Sequence, residues 1–337
     1  MQLSTLLPLL LHEFKSEHDL IKAIEELSLK FTQKREHISD YLKDERLTSA
    51  YTAFYLTTNM PKLEAVFKWM PAAWLEEIKK TTFIDLGAGP GTFSLAYREW
   101  IGEPSKIVQI ETSAVMREQA RKLWEGLYPS EKLLRKAGGP VTLFFGHSAN
   151  EMGAEVALRY VEDLRPEHII FIEPGTKDFF PKMLDMREVL IRNGFNVLFP
   201  CPRAEECPLR DSTTDWCHQF THVQQESEVE RLSQIVKKDR RSLPLIVHVF
   251  SKTFKADTPT SRLVRVHPET KFSYEWESCE LNQIKNYQIM KRGLSKKSLA
   301  ALSDTTAGAA LEIEVEKELE KSVRVRLKSL NNTAFEP

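Results

Sequence analysis

A short apolar run, Thr82-Phe-Ile-Asp-Leu86, stops at Gly87-Ala-Gly-Pro-Gly91, and a stretch with helical periodicity, Thr92-Phe-Ser-Leu-Ala-Tyr-Arg-Glu-Trp100, follows at once. Strand, glycine turn and helix in that order leave the chain little freedom. The glycines permit a tight turn and a close approach of backbone to a ligand, and the helix must fold back over a sheet. Further apolar runs repeat the theme: Lys106-Ile-Val-Gln-Ile110, Val141-Thr-Leu-Phe-Phe145, His168-Ile-Ile-Phe-Ile172, Asn196-Val-Leu-Phe199 and Leu245-Ile-Val-His-Val-Phe250. With helical stretches between them, they predict an α/β protein with a doubly wound, Rossmann-like, mostly parallel sheet covered on both faces.

The spacing of the turn bears on its ligand. A dinucleotide site favours G-x-G-x-x-G, whereas Gly87, Gly89 and Gly91 are spaced G-x-G-x-G, with Asp85 two residues ahead. A carboxylate there repels a pyrophosphate but can help to hold an ammonium group, as in the methionyl part of S-adenosylmethionine. Glu111 ends the second strand, 20 residues beyond Gly91, where an acid can accept both hydroxyls of a ribose. The run resembles motif I of class I methyltransferases, and Glu111 resembles their ribose-binding acid. That resemblance places the end of the third strand, Gly146-His147-Ser148-Ala149, beside the adenine. Glu173, in Ile172-Glu-Pro-Gly-Thr176, is expected either to wall the cofactor pocket or to cap its loop. No Asn-Pro-Pro-aromatic stretch stands there and no catalytic base is evident, so donor binding is better supported than methyl transfer.

The four cysteines are the second constraint. Five residues separate Cys201 from Cys207, nine separate Cys207 from Cys217, and 61 separate Cys217 from Cys279. Zinc knuckles use C-x2-4-C pairs, and radical enzymes that use the same donor carry a compact C-x3-C-x2-C; neither is present. Wider loops suit a cubane whose four irons take thiolates from separated chain points, and Pro202 and Pro208 stiffen the loop. Zinc and unligated thiols stay open as alternatives. A metal here is expected to act as a structural staple.

These signals divide the chain into a helical N-terminal region (1–75), a methyltransferase-like domain with the cysteine loop (76–255) and a C-terminal segment with the fourth cysteine (256–337). In the first region the aromatics of Tyr41 to Tyr55 share a helix face, either packing on the next domain or forming a lid. In the last, Leu311–Glu316 and Val323–Lys328 alternate apolar and charged residues. Folded about Glu320, Glu312, Glu314 and Glu316 face Lys328, Arg326 and Arg324, a hairpin pattern.

The formal net charge of -1 neither supports nor excludes a nucleic-acid partner. No apolar run is long enough to cross a bilayer, so no membrane partner is expected. The N-terminus, MQLSTLLPLLLHEFK, lacks a basic flank and a cleavage site, and acids follow at Glu17 and Asp19. That suits neither a signal nor a transit peptide. The expectation is a bacterial-type cytoplasmic monomer whose cysteines are metal ligands rather than disulfides.

Arg46, Phe83 to Thr92, Glu173 to Thr176 with Arg187, Cys201-Pro, Cys207-Pro-Leu, Asp215-Trp-Cys-His-Gln-Phe220, Arg265-Val and Cys279 form one larger pattern. It resembles the methyltransferase-like assembly factors of the small ribosomal subunit, known from mitochondria and with bacterial relatives. The likeness covers most of residues 41–292. It implies a class I methyltransferase fold that binds S-adenosylmethionine and small-subunit rRNA in assembly intermediates, with Cys201, Cys207, Cys217 and Cys279 holding a [4Fe–4S] cluster that ties in the C-terminal extension. Arg203 departs from the histidine that many relatives carry. A basic run, Lys237, Lys238, Arg240 and Arg241, precedes the last strand, and Arg262, Arg265, Lys291, Arg292, Lys296 and Lys297 follow. On one face they bind phosphates, with an affinity that falls with salt; a solvated helix face is the ordinary alternative. The expected function is a small-subunit assembly factor. An active rRNA methyltransferase, or a small-molecule methyltransferase with structural zinc, is the alternative.

Overall fold

The computed structural model describes residues 1–33, 43–103, 105–256, 259, 261–281, 283–331 and 333–335. Tyr41, the first residue of the predicted aromatic face, lies outside them. The first sheet is built from β1 (Thr82–Leu86), β2 (Ile107–Ile110), β3 (Val141–Gly146), β4 (His168–Pro174), β5 (Asn196–Phe199), β6 (Gln219–His222) and β7 (Ser242–Ser251). Its order is β2-β1-β3-β4-β7-β5, with β6 also paired to β7. β1 to β4 run parallel, as the alternation of strands and helices requires. β7 is the exception: it lies antiparallel between β4 and β5. A central parallel set with one reversed strand inserted near an edge is the sheet of a class I methyltransferase-like fold.

The period of two along each strand sends alternate side chains to opposite faces. Phe83, Ile107, Phe144, Ile170, Ile172, Val247 and Val249 face one apolar layer. Ile84, Leu86, Val108, Leu143, Phe145, Ile169 and Phe171 face the other. A strand buried on both sides has no polar face, which is why these runs read as unbroken apolar stretches. Full burial of each such side chain contributes about 1.5–3 kcal/mol.

The helices Glu17–Gln33 and Glu45–Tyr51 pack through Leu20, Ile24, Leu27, Leu47 and Ala50 against Met116 and against Val229 and Leu232 of the helix Ser227–Ile235. Arg46 pairs with Glu26 across the first two.

A second sheet follows: β8 (Ser261–Val266), β9 (Ser273–Glu280), β10 (Gln283–Met290), then the helix Lys296–Ser303, β11 (Ala310–Glu318), β12 (Val323–Leu330) and β13 (Thr333–Ala334). The order β10-β9-β8-β11-β12-β13 closes through a parallel pairing of β10 with β12. Leu263, Tyr274, Trp276, Tyr287, Leu311 and Val325 fill its interior. In the β11–β12 hairpin, Ile313 meets Leu327, Glu314 meets Arg326 and Val315 meets Val325, as the alternation predicts. Two bulges shift the rest, so Glu312 meets Ser329 and Arg324 meets Lys317. The predicted charge pairs slide accordingly, to Glu316–Arg326 at 2.9 Å and Glu314–Lys328 at 3.7 Å. The turn closes without glycine through a bond from the Leu319 amide to the Ser322 carbonyl, 2.9 Å.

Candidate functional site

Gly87, Gly89 and Gly91 all take positive φ, at +70°, +54° and +86°, a conformation that costs an L-residue about 1–2 kcal/mol. A side chain at Gly87 would also meet Ser148 Cβ at 2.5 Å, and one at Gly91 would meet Gln109 Nε2 at 2.7 Å. The turn opens onto a cavity of about 290 Å³, lined by Gly87, Gly89, Glu111, His147 and Ser148, with Tyr51 from the N-terminal helices. Glu111 is fixed at its rim by the amides of Gly89 and Ser113, each donating at 2.8 Å. Tyr51 stacks on Tyr55 of its own segment at 5.4 Å and borders the cavity.

Asp85, Gly91 and Glu173 do not border it. Asp85 is buried and accepts from the Ser94 amide (2.9 Å) and hydroxyl (2.7 Å). Burial pushes its carboxyl up to about 7, against the pull of the Ser94 bonds. The predicted ammonium-holding role gives way to one in the turn: Asp85 fastens the start of the helix Thr92–Ile101, where the dipole favours an acid. Gly91 caps that helix. Of the two roles open to Glu173, the structure shows the capping one. Its fully buried carboxyl accepts from the amides of Ser148 (3.0 Å), Ala149 (2.8 Å) and Asn150 (3.3 Å). Burial raises it to about 8 in spite of those bonds.

His147 has φ +61°, and its Nε2 lies 3.0 Å from Nζ of Lys62. Lys62, on the helix Pro61–Phe67, is only 2% exposed. Burial holds both groups well below their ordinary values; Lys62 and Arg240 lower His147 further, and Arg240 lowers Lys62 against the pull of Glu173. Sequence reasoning missed Lys62, because a single lysine in a mixed helix carries no signal of the face it occupies.

The four thiols come together. Cys201, Cys207 and Cys217 lie in the irregular loop between β5 and β6, Cys279 lies on β9, and all four line one cavity. The loop has little backbone pairing of its own and is clamped by side chains. On one side Arg187, from the helix Phe180–Arg192, donates to the carbonyls of Arg203 (3.0 Å) and Glu205 (2.8 Å) and through Nε to Cys201 Sγ (3.2 Å). On the other side Arg265 of β8 joins Asp215 of the loop to Glu277 of β9. Trp216 adds a bond from its indole N–H to the Gly175 carbonyl, 3.1 Å, and Gln219 donates to Cys217 Sγ at 3.4 Å.

Burial, with the neighbouring thiols adding to it, raises Cys207 to about 11, Cys279 to about 12 and Cys217 well above its ordinary value. Such thiols ionise only against a cation. Among the described residues, no three His, Cys, Asp or Glu side chains stand close enough to hold one metal ion.

The basic run does not form one charged face. Arg240 turns inward: it donates to Asn59 Oδ1 at 3.1 Å and lies over the Tyr55 ring at 5.4 Å. Arg241 pairs with Asp239 (2.8 Å) and Glu230 (3.5 Å). Lys237 is exposed and Lys238 half-exposed. Beyond the run, Arg262 is buried, Arg265 belongs to the clamp and Lys291 pairs with Glu269 at 3.0 Å. Alternating polar residues share a spacing without sharing a surface, and Arg240 meets its partners on the N-terminal helices.

The family model described as Mitochondrial small ribosomal subunit Rsm22 matches residues 151–288. That stretch is shorter than half the chain, starts beyond the glycine turn and contains all four cysteines. The description overturns the expectation of a bacterial-type cytoplasmic protein and points to mitochondria. No curated protein matches. Among solved structures, a protein described as a candidate RNA methyltransferase from Pyrococcus horikoshii is 14% identical, with 57% of this chain and 83% of that one covered and a TM-score of 0.34. Magnesium protoporphyrin IX methyltransferase from Synechocystis PCC 6803, solved with bound SAM, is 12% identical, with 69% and 97% covered and a TM-score of 0.37. Likenesses this distant add nothing to the strand order already described.

Proposed function

We propose that this chain is a methyltransferase-like factor of the small ribosomal subunit that binds small-subunit rRNA in assembly intermediates. The observation that carries the reading is the Rsm22 match over the segment holding every cysteine, in a chain whose sheet is methyltransferase-like. The glycine cavity is the seat for S-adenosylmethionine. Gly87 and Gly89 let the backbone approach the ligand, Glu111 receives the ribose hydroxyls, and His147 and Ser148 border the base. Glu173 occupies the position where amine-methylating enzymes align an acceptor, yet its oxygens serve backbone amides. That supports donor binding without an assigned methyl transfer.

Cys201, Cys207, Cys217 and Cys279 are the proposed ligands of a [4Fe–4S] cluster. Around one zinc at 2.3 Å, tetrahedral thiolates would stand about 3.8 Å apart. A cubane places each thiolate on its own iron, which suits four thiols from separated chain points that line one cavity. The cluster would supply a rigid anionic hub; the chain's own residues hold the loop around it.

The test is sedimentation of the full chain with small-subunit particles, together with iron and acid-labile sulfide analysis after anaerobic purification. Co-sedimentation that falls with salt, and a protein rich in iron and sulfide, are expected. A chain that stays at the top of the gradient overturns the ribosomal reading, and stoichiometric zinc without sulfide overturns the cluster. Methyl transfer from a labelled donor to the particles' RNA would establish the enzymatic alternative.

A further inference from the structure

Two arginines lie buried against the thiols without a carboxylate. Arg187 is 1% exposed and Arg262, on β8, is 7% exposed; both line the cavity of the four cysteines. Arg187 makes the three bonds already described, which leave its Nη1 buried with no partner among the described residues. Arg262 Nη1 donates to the Gly308 carbonyl at 2.8 Å and its guanidinium lies over the Phe199 ring at 4.8 Å, while its Nε is buried and unpartnered. Among the described residues neither forms an ion pair, although the molecule's other clamps, at Arg210 and Arg265, each hold two or more acids.

A buried charge without a counter-charge is among the most costly arrangements a fold can hold. Neutral thiols would leave two such charges in one cavity. Four thiolates on a dipositive core carry a net charge of about -2, which two guanidinium groups neutralise. Register adds a second link, since Arg262 sits opposite Cys279 in the β8–β9 pairing.

We propose that Arg187 and Arg262 are the charge-compensating, positioning partners of the four-thiolate centre, their unpartnered N–H groups donating to its sulfur atoms. The inference rests on the reading of the four cysteines as metal ligands. It goes further in assigning to two non-ligand residues the control of how firmly the centre is held and how easily it accepts an electron. A reduced centre is more negative, so each guanidinium favours reduction.

The test uses full-length Arg187→Leu and Arg262→Leu beside Arg187→Lys and Arg262→Lys, with metal and sulfide content measured first in the wild type. With an iron–sulfur centre, each leucine variant should shift the reduced-to-oxidised ratio at fixed poise at least tenfold toward oxidised, about 59 mV for one electron. Each should also release metal to a chelator at least tenfold faster. The lysine variants should keep most of both properties. A purely structural role would lower the thermal midpoint of the metal-free protein in leucine and lysine variants alike and leave the potential unmoved; that result overturns the proposal. Zinc in the wild type sinks the cluster reading, and the chelator comparison alone then decides the arginines. A wild type that holds neither metal overturns both. Should the leucine variants fail to fold, Arg187→Gln and Arg262→Gln, each set against its lysine variant, carry the same comparison.

Discussion

The glycine turn and the cysteine cavity meet the same physical demand in opposite ways. Around the turn, three acids are answered from nearby: Asp85 by the Ser94 amide and hydroxyl, the buried Glu173 by three successive amides, and the half-buried Glu111 by the amides of Gly89 and Ser113. Beside it, Thr92 Oγ1 and Gln109 Nε2 are buried without a partner among the described residues, but neither borders the cavity. Around the thiols, Arg187 Nη1, Arg262 Nε and His248 Nδ1 are buried without partners among the described residues. Satisfied polar groups mark a scaffold; unsatisfied ones on a shared cavity mark a place that something else completes.

The largest effect that can break this comparison is at Cys279. On the proposed cluster reading, Cys279→Ser should abolish metal retention and loosen the second sheet from the loop, because a structural metal contributes folding free energy directly. Limited proteolysis and metal analysis would read it. Cleavage near residue 260 should rise sharply; an unchanged pattern in a variant that keeps its metal would leave the two regions alike.

Next is Glu173. Glu173→Leu leaves two buried amides and one half-buried amide unpaired and should cost about 3 kcal/mol or more in urea unfolding, with loss of donor binding by calorimetry. Its pH behaviour has a definite sign. Between the ordinary 4.5 and about 8 the folded carboxyl keeps a proton that the unfolded chain has lost. Its contribution is therefore complete below 4.5 and is lost as pH rises through 8. Relative to Glu173→Gln, the wild type should lose stability between pH 5 and pH 8. A constant difference across that range would contradict the burial argument.

Gly87→Ala should cost about 1–3 kcal/mol from its left-handed φ and its contact with Ser148, and it should weaken donor binding without affecting metal content. If metal content fell with it, the regions would not be independent. The smallest effect is at Glu314: its exposed pair with Lys328 is worth about 0–1 kcal/mol, so Glu314→Gln should leave the thermal midpoint nearly unchanged.

How much could be read from residues alone follows from locality. β1, its turn and the next helix are contiguous, and their apolar runs are uninterrupted because both sheet faces are covered. The β11–β12 hairpin was legible because its alternation is strict, although two bulges moved its ion pairs. β6, β8, β9 and β10 were not read as strands. Serine and charged residues interrupt their alternation, and a bulge between Leu263 and Arg265 breaks β8. The inward turn of Arg240 depends on Asn59 and Tyr55, some 180 residues away in the chain, and the burial of Lys62 depends on His147. Such long-range pairs leave no periodic trace. The cysteine spacing suggested a shared site, but nothing in it named Arg187 or Arg262 as neighbours.

The placement of the fourth thiol on β9 also has a consequence during synthesis. A chain emerging N-terminus first presents Cys201, Cys207 and Cys217 together, while Cys279 follows 61 residues after the third. At about 5–20 residues per second that interval is roughly 3–12 s. The thiol set closes only after β8 and β9 have paired, so the nascent loop passes through a three-thiol stage in which its sulfurs are open to other chemistry. The last cysteine thus sets an order of assembly: the proposed four-thiol site can be completed only once β9 has been made, while β10 to β13 are still to come.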